Sequence, residues 1–141
     1  MTRIDFHSNV LDKIAYACRL VRKAYLAHNR VVLMTQEPSQ CDLLDKALWT
    51  FSAPDFLPHV LATDALAIQT PIVLSASDDD ELPHCDILIN LSQRVPANFS
   101  RFQRLFELIS QDPDDAAAGR KRYLHYKQEN YQPSHFVAGK K

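Results

Sequence analysis

Apolar positions recur along this chain with two different periods, and their alternation predicts an α/β domain. Residues 3–7 read as a short first strand. Ser8 or Asn9 can cap the helix that follows, since either side chain accepts a bond from an unpaired N–H of the first turn. Leu11, Ile14, Cys18, Val21 and Tyr25 then recur at spacings of three and four, marking one face of a helix that runs to about His28. Residues 31–34, Val-Val-Leu-Met, form a short continuous apolar run that suits a strand covered on both faces. Pro38 opens a second helix, where its missing N–H does no harm, and Cys41, Leu44 and Leu48 lie along that helix to about Thr50.

Residues 44–62 carry that helix into a proline-punctuated, apolar connection holding Trp49, Phe51, Phe56 and Leu57. Pro54 and Pro58 break any continuous helix there. Connections are usually polar and exposed, so this one needs cover, either from the domain's own core or from a partner. Residues 59–61 suit a short strand, and 72–74 and 87–91 read as further buried strands. Phe99, Phe102, Phe106 and Ile109 recur at three, four and three, which predicts an amphipathic helix after Pro96. Asp112 can cap the last helix, Pro113 suits its first position, and Asp114 and Asp115 favour the positive end of its dipole. That helix runs to about Gln128.

The expected architecture is one α/β domain over residues 1–130, with three layers and a mainly parallel central sheet flanked by helices. A loosely held tail is expected over 131–141. Parallel neighbours require crossover connections, which are nearly always right-handed.

Composition narrows what such a domain does. Its 141 residues suffice for a sizeable core. With 16 Lys and Arg against 17 Asp and Glu, the formal net charge of -1 argues against a general DNA-binding module. No run of eighteen apolar residues suggests a membrane helix, and the N-terminal residues lack the apolar stretch of a secretory signal, so a cytoplasmic protein is expected. Cys18, Cys41 and Cys85, odd in number and far apart, read as reduced thiols.

Glycine is the telling count. Only Gly119 and Gly139 occur, so no strand exit carries the glycines with which a phosphate cradle lets the backbone approach an anion. The fold is therefore expected to be nucleotide-binding-like without a phosphate-binding glycine loop, and to need no cofactor. His84, Cys85 and Asp86 are adjacent, and adjacent side chains rarely converge on one metal ion. The acidic run Asp78, Asp79, Asp80 and Glu81 reads as a solvated loop. The last helix is more informative. Arg120, Lys121, Arg122 and Lys127 interleave with Tyr123, Leu124 and Tyr126, and Arg120, Tyr123 and Lys127 share one stripe. Such a stripe reads either as a solvated helix face or as an anion-binding surface with an apolar floor, able to take a phosphate or an acidic peptide.

Leu-Asp-Lys-Ala-Leu-Trp at 44–49, Pro-Asp-Phe-Leu-Pro-His at 54–59, Pro-Ile-Val-Leu at 71–74, Asp-Ile-Leu-Ile-Asn-Leu at 86–91 and Arg-Lys-Arg-Tyr-Leu-His-Tyr-Lys at 120–127 occur here in order. Together they resemble the chi subunit family of the bacterial DNA polymerase III holoenzyme. The resemblance implies a non-catalytic accessory protein of DNA replication. Such a protein pairs with the psi subunit, and through it with the clamp loader. It also binds the acidic, phenylalanine-ended tail of single-stranded DNA-binding protein, so its DNA contact is indirect, and no membrane is involved. Carried over residue by residue, the resemblance implies psi binding by Trp49, Phe56 and Pro58. It implies tail binding by Ile109, Arg120 and Tyr123, with Lys127 in the same basic motif. The family's tail site can include a lysine where this chain has Ala116, so either Arg122, Lys121 or Lys127 compensates or the tail binds more weakly. Two other readings rest on the fold or the last helix alone: a small nucleotide-dependent enzyme, and a direct binder of single-stranded nucleic acid.

Overall fold

The computed structural model of the protein describes residues 2–50, 57–77 and 82–138. Phe51, Phe56, the acidic run 78–81 and residues 139–141 lie outside the described residues. The chain runs β1 (Arg3–Val10), α1 (Lys13–Leu26), β2 (Val31–Met34), α2 (Pro38–Thr50), β3 (His59–Leu61), β4 (Ile72–Ser75), β5 (Ile87–Asn90), β6 (Arg104–Ser110), α3 (Pro113–Gln128) and β7 (Ser134–Val137).

The strands form one sheet in the order β3-β4-β2-β5-β6-β1-β7, and every neighbouring pair is parallel. The three-layer expectation holds. Val31, Leu33, Ile72, Leu74, Ile87 and Ile89 point to the face covered by α1 and α2. Ile4, Phe6, Val32, Leu88, Leu105 and Ile109 point to the other face, where Tyr126 of α3 packs. Alternate residues of β2 are buried on both faces, which is why that strand reads as an unbroken apolar run.

Three local expectations fail, each for a physical reason. Residues 99–109 are not a helix. Phe99–Arg101 make a single 3-10 turn, and 104–110 is β6, paired with β5 on one side and β1 on the other. Its middle residues are buried on both faces, so an apolar run fills every position except Glu107. The spacing of three and four among Phe99, Phe102, Phe106 and Ile109 arises from two different elements.

The first helix starts later than expected. β1 continues through an irregularity between His7 and Val10, with Asn9 in the left-handed region at φ 58. Ser8 and Asn9 are thus strand residues, and Asp12 caps α1 by accepting from the Ala15 N–H at 3.2 Å. Leu11 lies outside the helix and is exposed.

Residues 134–138 are tied to the sheet, against the expectation of a loose tail. Ser134–Val137 pair with β1 as an edge strand, and the Ala138 N–H donates to the Ser8 carbonyl at 2.8 Å. Most side chains of β7 are exposed, so its place in the sheet rests on backbone pairing that composition does not announce.

Candidate functional site

The site is built on α3. Asp112 caps it by accepting from the Asp115 N–H at 3.0 Å, and Pro113 follows at the helix start. Asp115 then fastens the first turn to the sheet, accepting from the Ser110 N–H at 2.7 Å and from the Lys13 ammonium at 3.1 Å. Burial works against the Asp115 carboxylate, but the Ser110 and Lys13 donors outweigh it and hold the group below the usual carboxylate range. Asp115, Gly119, Arg122 and Tyr126 form the buried line of the helix. A Cβ on Gly119 would stand 2.8 Å from Ile109 Cγ1 and closer still to its Cδ1, so glycine sets how near α3 lies to β6.

That line divides the helix into two flanks. On the flank facing β1 and β7 lies a cleft of about 520 Å³. Phe6, Ile109, Ala116 and Gly119 give it an apolar lining, together with Tyr123 and Leu124. Arg120 is exposed beside it, and Ser8 and His135 line it from the strand edge, their Oγ and Nε2 2.6 Å apart. Tyr123 packs edge-on against Phe6 with ring centroids 5.2 Å apart, and the Lys127 ammonium lies 5.6 Å from the Tyr123 centroid.

Ile109, Arg120 and Tyr123 are therefore brought together, and Lys127 joins them through the tyrosine face. Phe6, Ser8 and His135 come from strands whose contribution the sequence does not advertise. Gly119 had a visible signal, being one of two glycines in the chain.

Arg122 behaves differently from its neighbours. It is 2% exposed, and its Nε donates to Oε1 of the fully buried Glu107 at 3.0 Å. The same oxygen accepts from Asn90 Nδ2 at 2.9 Å, and the Tyr126 hydroxyl donates to Oε2. Burial pushes the Glu107 carboxyl up, opposed by Arg122, Tyr126 and Asn90. Burial and the Glu107 charge push the Tyr126 hydroxyl up strongly. Arg122 thus belongs to the interior, and Lys121 lines a separate cleft on the opposite flank. Neither lines the cleft beside Ala116, and of the three residues expected to compensate there, Lys127 alone stays near it.

Of the residues expected to bind psi, Trp49 and Pro58 lie at the other sheet edge. Trp49, in the last turn of α2, is 56% exposed, and its ring centroid is 4.9 Å from that of His59 on β3. His59 is buried, with Nδ1 2.6 Å from the Leu57 carbonyl and Nε2 3.1 Å from Asp45 Oδ1. Pro58 is half-buried just before β3. Phe56 is outside the described residues. β3 and β7 bound the sheet, six strand spacings apart, so the two candidate surfaces are separated by roughly 29 Å at about 4.8 Å per spacing.

The adjacent trio 84–86 does not converge. The His84 ring meets the Thr70 carbonyl at 3.3 Å, while Asp86 accepts from the Arg30 N–H at 3.0 Å and from its Nε at 3.2 Å. Cys18 and Cys41 are buried, and burial pushes the Cys18 thiol up to about 11. No helix among the described residues is long and apolar enough to cross a membrane.

Fold and cleft together define a class: an all-parallel, three-layer α/β domain that offers an apolar, cation-edged groove at a sheet edge, with no glycine cradle at the described strand ends. Residues 1–134 match the model of the family described as DNA polymerase III chi subunit, HolC, and the chain belongs to that family. It is similar to the DNA polymerase III subunit chi of Pseudomonas aeruginosa, with 31% identity over 135 residues, 93% of each chain. It is also similar to the subunit chi of Haemophilus influenzae, at 28% over 107 residues (76% of this chain and 74% of that one). The Escherichia coli subunit chi is 24% identical over 110 residues, 78% of this chain and 75% of that one.

Proposed function

We propose that this chain is a non-catalytic accessory subunit of the replicative DNA polymerase. It joins the clamp loader, through a psi partner, to the acidic C-terminal tail of single-stranded DNA-binding protein. The observation that carries the reading is the cleft between α3 and the β1–β7 edge. Its lining of Phe6, Ile109, Ala116 and Gly119 suits an aromatic side chain, and Arg120 stands beside it with a fork that pairs with a carboxylate. A peptide ending in phenylalanine presents both groups on one residue. A volume of about 520 Å³ is of the size that takes a short peptide end.

Trp49 and Pro58 at the far edge serve the psi partner, to which Phe56 is also assigned, so both partners can be held at once. Ala116 places a methyl group where a lysine would add a second cation, which leaves Arg120 as the main anion contact, with Lys127 and His135 nearby.

The test is a calorimetric titration with a short acidic peptide ending in phenylalanine. Saturable binding is expected, weakened roughly tenfold to a hundredfold by Arg120→Ala, the value of one charge-assisted hydrogen bond. No heat change with the intact protein, or equal binding by Arg120→Ala, overturns tail binding at this cleft. For the other edge, co-purification with a psi subunit should be lost in Phe56→Ala while the circular dichroism spectrum stays native. Loss of the fold in that variant would place Phe56 in the core instead.

A further inference from the structure

The face of the sheet opposite α3 is open at one end. α1 packs against β2 and β6. Beyond it, β1 and β7 bring His7 and Phe136 side by side in register, with ring centroids 5.3 Å apart. Strand alternation turns Ser8 and His135 toward the cleft beside α3, and their neighbours His7 and Phe136 the other way. His7 is half-buried, and its Nδ1 meets the Tyr16 hydroxyl of α1. Phe136 is 54% exposed. A phenylalanine held out on an edge strand adds little to a core, and tail binding on the other face leaves it unused.

These rings wall a groove of about 460 Å³ between α1 and the β1–β7 end of the sheet. Lys23 lines it from α1, where it is exposed, and Arg104 lines it from β6. Arg104 donates to Asp5 Oδ2 from Nη2 at 3.0 Å and from Nε at 3.2 Å, while Arg3 Nε stands 3.6 Å from the same oxygen. Two guanidiniums thus share Asp5, the single acidic residue lining the groove among the described residues, and positive charge is left in excess. The formal net charge of -1 conceals this local balance, for α1 carries Lys13, Arg19, Arg22 and Lys23 and no acid.

We propose that this groove binds single-stranded nucleic acid, with one base stacked on Phe136 beside His7 and the flanking phosphates on Lys23, Arg104 and Arg3. Rings interleaved with cations suit a single strand, because the rings take unstacked bases and the cations follow the backbone. A duplex keeps its base faces stacked on one another, and an acidic peptide brings charge without a base to stack. The contact is direct, where the family resemblance implies only an indirect one. It is also separate from Arg120, which lies across the sheet.

The test is fluorescence anisotropy of a labelled short oligothymidylate titrated with the whole protein, in low salt and then at rising salt. Saturable binding is expected, with a log–log salt slope of about -2 if three cations each meet a phosphate. Phe136→Ala should weaken binding roughly fivefold or more, the loss of one base–aromatic stack, and Phe136→Trp should restore it. Lys23→Ala should weaken it too and flatten the salt slope by about 0.7. Lys23 is exposed on α1, so that variant decides the question even where Phe136→Ala loosens β7. Arg120→Ala should bind the strand like the unaltered chain, which separates this groove from the tail cleft. No saturable change in low salt, or binding unaltered in both Phe136→Ala and Lys23→Ala, overturns the proposal. So does displacement of the strand by polyglutamate or by duplex DNA as readily as by unlabelled oligothymidylate at equal charge, which would mark a general polyanion surface.

Discussion

Replacing Gly119 with alanine tests the packing that shapes the cleft between α3 and the β1–β7 edge. Two effects oppose one another. Alanine in a helix interior is favoured over glycine by about 0.8–1 kcal/mol. The added Cβ meets Ile109, 2.8 Å from Cγ1 and nearer to Cδ1. Cδ1 can swing aside about χ2, but Cγ1 moves only if χ1 changes, and isoleucine is stiff at χ1. Ile109 is itself 8% exposed and held within β6, so relief must come from moving α3 outward. Overpacking of this kind typically costs about 1–3 kcal/mol. The net expectation is a loss of roughly 0–2 kcal/mol, read as a lower urea midpoint with an unchanged slope. The same shift displaces two lining residues, Ile109 and Gly119, so affinity for a phenylalanine-ended acidic peptide should fall several-fold. A variant more stable by about 1 kcal/mol with unaltered peptide affinity would refute the reasoning. It would show that the close approach of α3 to β6 constrains neither the fold nor the cleft.

Three further outcomes follow from the same geometry. Ala116→Lys adds a cation to the lining of the cleft proposed for the tail and should tighten an acidic peptide several-fold in low salt, with the gain fading as salt rises; calorimetry across ionic strengths checks both. Glu107→Gln leaves the Arg122 charge buried without its counter-charge and should cost about 3–5 kcal/mol, measured by denaturant unfolding. Asp115→Asn breaks the partly buried pair with Lys13, at about 3 kcal/mol near neutral pH. Because the folded Asp115 carboxyl titrates below its unfolded value, its stabilisation is complete above the ordinary aspartate range near 4 and is lost as pH falls through the folded value. The variant's deficit should therefore shrink on acidification, and a deficit that is constant down to strongly acid pH would contradict this assignment.

The parts of the fold legible in the sequence are those whose local pattern has a single solution. β2 shows as an unbroken apolar run because both its faces are covered, and α3 shows because Asp112 and Pro113 announce its start. β6 was hidden by one residue. Glu107 interrupts the apolar run 105–109, and a buried carboxylate is intelligible only once Arg122, Tyr126 and Asn90 are known to surround it. Those partners lie 15, 19 and 17 residues away, beyond any local window. β7 escaped for the opposite reason: as an exposed edge strand it needs no apolar pattern, because parallel pairing with β1 and a few side-chain contacts such as Ser8 to His135 hold it.

Moving 104–110 from helix to strand also changes what the basic motif of α3 means. A stripe of Arg120, Tyr123 and Lys127 on a solvated helix is indistinguishable from many helix surfaces. With Ile109 on a strand beneath it, Gly119 holding the two together and β7 closing the far side, the same residues border a concavity. Arg122, two positions from Arg120 and chemically identical to it, is turned inward by the helical period and meets Glu107 instead. Charge counted along the sequence therefore overstates the charge available to a ligand at either flank. The buried line from Asp115 to Tyr126 decides which arginine borders the cleft beside β1 and β7 and which is spent inside on Glu107.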